Sequence, residues 1–78
     1  MNDKLNKIIS KILGVQEAII NAESSRKNIK AWDSLRHIRL MLSIEEEFEI
    51  DPFSMDEIVE MTSVAKIKEV LRGKGIEA

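Results

Sequence analysis

Leu5, Ile8, Ile9, Ile12 and Leu13 recur at intervals of three and four residues, and similar spacing returns further along the chain. Apolar residues with that period share one face only if the backbone is an α-helix; a strand would alternate. No stretch alternates in the manner of a strand, and no segment repeats another. The predicted elements are therefore four helices that bury their stripes against one another. The first runs over about residues 3–13, with Asn2 or Asp3 as N-cap and Gly14 just past its end. A long connection follows over 14–33, with a helical turn within 16–21, and Val15, Ile19, Ile20 and Ile29 tie it to the bundle. The second helix spans about 34–48. The third is short, within 54–61, where Ser54 and Glu57 have the spacing of a capping box. The fourth spans about 64–72, capped by Thr62 or Ser63, stopped by Gly73, with Val64, Ile67, Val70 and Leu71 as its stripe.

With 78 residues the chain fits one domain, expected over 1–78 with 73–78 as a frayed tail. A domain of this size buries a thin core and has little room for an enclosed catalytic pocket. There is no Cys, hence no disulfide framework and no polypeptide thiolate, and with one His a structural zinc site is not expected. No apolar run exceeds four residues, which is too short to span a membrane, and no apolar region follows Met1 as a secretory signal would require. A cytoplasmic location and a monomer are the expectation.

Charge is unevenly spread. Residues 1–40 hold eight Lys or Arg and four acids, whereas residues 41–65 hold eight acids and no base. An acidic flank repels nucleic acid and favours protein partners with basic patches, although a solvated helix face explains the same run.

On a helical wheel the second helix carries two apolar arcs. At about 100° per residue, Leu40, Met41, Ile44 and Phe48 fall together, and Leu35, Ile38 and Leu42 fall on the other side of Ser34. A helix on a small monomer needs one such stripe. One arc is expected to face the core and the other a partner, unless both are buried in a plain bundle. Ser34 stands at the start of this helix. Taken alone, a Ser there is most often an N-cap. The position also suits a phosphate, because the helix N-terminus offers free N–H groups and the positive end of its dipole. His37 falls about 60° from Ser34 toward the core arc and reads as a packing residue, not a base.

At these residues the chain resembles the acyl carrier protein family. Trp32-Asp33-Ser34-Leu35 resembles its Asp-Ser-Leu motif, and Asn28 to Trp32 resembles the approach to it. Ile44-Glu45-Glu46-Glu47-Phe48-Glu49-Ile50 resembles the acidic end of its second helix, and Met61-Thr62-Ser63-Val64 the lead into its last. Asp-Ser-Leu alone is a weak match; followed ten residues later by Glu-Glu-Glu-Phe, in a chain of four such helices, it is strong. The resemblance implies an all-α, four-helix acyl-carrier-like bundle with a long first loop and a short third helix. It implies 4′-phosphopantetheine attached to Ser34 by a phosphopantetheinyl transferase, with Asp33 and Leu35 as supporting motif residues and Asp33 orienting Ser34. Acyl cargo would be carried as a thioester and passed among acyl-loading and acyl-transferring enzymes of fatty-acid, polyketide or related biosynthesis. Leu35, Arg36, Ile38, Arg39, Leu42, Glu45 and Glu46 would meet those partners. Leu40, Met41, Ile44 and Phe48 would form the core or an acyl pocket.

Where typical fatty-acid carriers have Gly before the motif and acids after it, this chain has Trp32 before it and Arg36, His37 and Arg39 after it. That difference points to a specialised pathway. Two other classes stay open. Arg36, His37 and Arg39 could open a DNA-recognition helix, against which the following acids argue. A protein-interaction bundle with an unmodified Ser34 is the other. An enzyme is not expected, since no metal cluster, phosphate-binding glycine loop or triad-like set is present.

Overall fold

The computed structural model describes residues 3–76. Its elements follow one another as α1 (Asp3–Leu13), a single 3-10 turn (Glu17–Ile19), α2 (Ser34–Phe48), α3 (Met55–Glu60) and α4 (Val64–Gly73). There is no strand among the described residues, only an isolated antiparallel bridge between Ser25 and Ser63. The four helices, the long first loop and the short α3 are as the periodicity and the resemblance predict.

Local chemistry sets the helix ends. Gly14 closes α1 at φ 68°, a left-handed conformation glycine adopts without penalty, and the Val15 N–H reaches back to Ser10 O at 3.2 Å. The expected cap Asn2 lies outside the described residues. α3 starts at a complete capping box: Ser54 Oγ accepts from the Glu57 N–H at 3.2 Å, and Glu57 Oε1 accepts from the Ser54 N–H at 2.8 Å. Of the two candidates for α4, Ser63 is the cap, accepting from the Lys66 N–H at 3.2 Å.

Leu5, Ile9 and Leu13 of α1, Leu40, Met41 and Ile44 of α2, and Val64, Ile67 and Leu71 of α4 are buried together. The long loop and the α2–α3 connection contribute Ile20, Ile29, Trp32 and Phe53 to the same core. Full burial of one such side chain contributes about 1.5–3 kcal/mol. Val15 is only partly buried. Ile19 corrects the expectation for the loop. The 3-10 turn leaves it 53% exposed, and its neighbour Ile20 takes the buried place.

The loop is stitched down at its middle. Ser24 O accepts from the Val64 N–H at 2.9 Å and Ala22 O from the Ala65 N–H at 3.2 Å, so loop carbonyls satisfy the first free donors of α4. The Arg26 N–H donates to Thr62 O at 3.0 Å.

Of the expected frayed tail over 73–78, residues 73–76 are held against α4, and residues 77 and 78 lie outside the described residues. Gly73 is inside α4; the left-handed residue is Gly75 at φ 86°, and the Ile76 N–H returns to Leu71 O at 2.9 Å. Ile76 then packs against the core, and Lys74 Nζ pairs with Glu57 Oε2 at 3.3 Å. An apolar residue just past a left-handed glycine folds back onto the helix it ends.

Candidate functional site at the start of α2

Ser34 is exposed in the first turn of α2 but is not its cap. Asp33 fills that role, with extended backbone (φ −93°, ψ −177°) and Oδ1 accepting from the Arg36 N–H at 2.8 Å. Its other oxygen, Oδ2, pairs with Arg36 Nη1 at 3.2 Å. The bond from the Arg36 N–H, opposed by desolvation and joined by the guanidinium, holds the Asp33 carboxyl below the usual carboxylate range. With the cap supplied by its neighbour, Ser34 keeps its hydroxyl out of the helix ladder. Ser34 Oγ instead accepts a hydrogen bond from Arg26 Nη2 at 3.1 Å.

Two further residues fix the approach to Ser34. Trp32 is 2% exposed, and its indole Nε1–H donates to His37 Nδ1 at 3.0 Å. An indole nitrogen can only donate, so Nδ1 is the acceptor and Nε2 carries the ring proton. Nε2 lies 2.7 Å from Ile58 O and donates to it. His37 is thus a buried bridge joining the segment before Ser34, α2 and α3. It is 4% exposed, more fully buried than the partly buried packing residue that the wheel predicts, and both ring nitrogens are bonded.

The two arcs of α2 separate as the wheel predicts. Leu40, Met41 and Ile44 are at most 1% exposed, and Phe48 is partly buried with Lys4 Nζ 4.9 Å over its ring. Leu35, Ile38 and Leu42 are 63%, 46% and 58% exposed. Arg36, Arg39 and Glu46 are also exposed, whereas Glu45 is half-buried and its Oε2 accepts from the Phe53 N–H at 2.7 Å. Glu45 therefore caps the turn between α2 and α3, a structural task that the partner expectation did not include.

Sequence reasoning missed three features. Met55 and Val59 on α3 are 73% and 66% exposed, four residues apart and therefore on one face. Their spacing could have revealed this. The Trp32–His37 bond had a weaker signal, a Trp just before a helix with a His inside its first turn. Arg26 had none, because its contact with Ser34 depends on the path of the loop. Among the described residues no group of three or more His, Cys, Asp or Glu could hold a metal ion, and no helix is long and apolar enough to cross a membrane.

No family model matches the chain. An acyl carrier protein of Buchnera aphidicola subsp. Schizaphis graminum is 38% identical to it over 72 residues, 91% of this chain and 89% of that relative. The solution structure of a holo acyl carrier protein from Geobacter metallireducens matches with a TM-score of 0.80 at 28% identity, over 95% of this chain and 86% of that one. Neither comparison favours a DNA-binding module or an unmodified interaction bundle. A sequence shared along almost the whole relative, and a shared arrangement of helices, have one reading: this chain belongs to the acyl carrier protein family.

Proposed function

We propose that the chain, a single carrier domain over 1–78, bears acyl groups as thioesters on a 4′-phosphopantetheine arm attached to Ser34. The observation that carries this reading is the setting of the Ser34 hydroxyl. It is exposed, it is relieved of capping by Asp33, and it stands at a helix N-terminus beside Arg26. Free N–H groups, the helix dipole and a guanidinium suit a phosphodiester anion there. Once attached, the arm supplies the thiol to which cargo is bonded.

The chain's own residues bind and position. Ser34 offers the oxygen that bonds to phosphorus, while the pyrophosphate bond of coenzyme A breaks and its adenosine bisphosphate leaves. Neither neighbouring titratable group is available to take its proton: Asp33 is engaged by Arg36, and both His37 nitrogens are bonded. The phosphopantetheinyl transferase therefore brings the base, and the chain acts as substrate, not enzyme. The exposed face of Leu35, Ile38 and Leu42, with Met55 and Val59 on the next helix, receives the loading and transferring enzymes in turn. Arg36 and Arg39 flank the attachment point where common fatty-acid carriers have acids. That favours a dedicated pathway, polyketide or other specialised acyl transfer, over general fatty-acid synthesis. A cytoplasmic monomer fits a chain that must visit several enzymes.

Intact mass spectrometry tests this reading, after incubation with coenzyme A, magnesium and a broad-specificity phosphopantetheinyl transferase. The expected result is a gain of one phosphopantetheine, absent in Ser34→Ala. That control should stay folded, because Ser34 is not the cap of α2. No gain under conditions that load another carrier protein would refute attachment.

A further inference from the structure

We propose that Arg26 is a clamp for the phosphodiester at Ser34, holding its anionic oxygens on the loop side of α2. The inference rests on Ser34 being the attachment point. Its starting observation is the bond from Arg26 Nη2 to Ser34 Oγ at 3.1 Å, across eight residues of sequence.

Arg26 is presented by anchored backbone. Its own N–H donates to Thr62 O at 3.0 Å, and the adjacent Ser25 forms the bridge to Ser63. Asn28 Oδ1 accepts from the Ser25 N–H at 2.9 Å and its amide donates to Glu23 O at 2.9 Å, which braces the same turn. The guanidinium thus projects toward Ser34 from a segment fixed to the start of α4.

Arg36 lies nearer in sequence but is committed. Asp33 takes both its backbone N–H and its Nη1, so the charge of that guanidinium is offset by a carboxylate. Arg26 has no such ion pair among the described residues and spends its planar, five-donor cation on a neutral hydroxyl. Loading changes what it faces. Ser34 Oγ becomes a bridging ester oxygen, and two non-bridging oxygens beside it share a negative charge. A hydroxyl offers the guanidinium one neutral acceptor, whereas a phosphodiester offers two anionic oxygens that it can meet charge to charge and in bidentate fashion. The side chain can pass from Oγ to those oxygens without movement of its backbone. The arm then starts from a fixed point and does not swing freely about the Ser34 side chain.

The test is a cycle between loading and Arg26, with the phosphorus nucleus as a second readout. Native chain, Arg26→Gln and Arg26→Lys are each prepared without and with the arm, loading being established by intact mass. Loading should raise the Tm of the native chain, and the rise should be smaller in Arg26→Gln and partly restored in Arg26→Lys. The phosphodiester resonance should also move in Arg26→Gln and respond to salt only in the two chains that keep the cation. Equal rises in Tm and identical phosphorus resonances in native and Arg26→Gln chains overturn the clamp and leave the attachment standing. A native chain that takes no arm removes both. If Arg26→Gln fails to load, the Arg26 Nε–H resonance of the native chain decides: a shift on loading supports the clamp, and an unmoved resonance overturns it.

Discussion

Asp33 holds two bonds that its ionised carboxylate accepts, one from a backbone N–H and one from a guanidinium, both of Arg36. Because those bonds favour the charged form, the folded carboxyl titrates below its ordinary value of 3.8. Glu57, which accepts from the Ser54 N–H and pairs with Lys74, is likewise held below 4.5. Each therefore contributes stability that is fully present above its ordinary value and is lost as pH falls through the lower folded one. Urea midpoints measured from about pH 5 down to about pH 2 should decline for the native chain. Asp33→Asn keeps a capping oxygen but cannot titrate, so its decline should be shallower. Parallel declines would place the acid sensitivity elsewhere. The sequence located the start of α2 correctly and suggested Ser34 as its cap, whereas the structure gives that role to Asp33. Both residues are good caps, and the choice turns on which adopts extended backbone, something composition does not encode.

The helix ends at α1 and α3 were legible because the deciding chemistry there was local. The capping box of α3 and the Gly14 stop of α1 involve residues within a turn of each other, so their spacing announced them. The path of residues 14–33 was not legible, because its bonds run to Thr62, Val64 and Ala65 at the far end of the chain. Ile19 and Arg26 were misjudged or missed for that reason. The C-terminus of α2 is a third case. Glu49 adopts φ 51°, ψ 50°, and the Ile50 N–H returns to Glu45 O at 3.2 Å. A left-handed residue with a Cβ is disfavoured by roughly 1–2 kcal/mol, part of which glycine gives back through the greater freedom of its unfolded chain. Glu49→Gly should therefore raise the unfolding free energy by about 0.5–1 kcal/mol, read from urea denaturation at neutral pH. A loss of stability instead would mean that the Glu49 side chain contributes more than its backbone strain costs.

At the scale of the whole molecule, charge is divided along the length of α2. Arg26, Arg36 and Arg39 gather at the Ser34 end of α2, and Glu46, Glu47 and Glu49 crowd its other end. The division was readable as a charge count, but only the folded loop brings Arg26 to the basic end. An apolar face with a basic rim near the proposed attachment point fits an enzyme whose entrance carries carboxylates, because complementary rims chiefly set association rate and partner choice. Arg39 isolates that effect better than Arg36 does, since reversing Arg36 would also disturb the Asp33 cap. Exposed charges contribute little to stability, so Arg39→Glu should leave the unfolding free energy within about 0.5 kcal/mol of native. Its transfer rate with the proposed acyl-loading partner should fall severalfold at low ionic strength. The deficit should shrink as salt screens the rim, because the Debye length drops to about 8 Å near physiological ionic strength. A normal rate at low salt would take Arg39 out of the docking surface. A slow rate indifferent to salt would mean that Arg39 acts by shape and packing beside Leu35 and Leu42, and not by its charge.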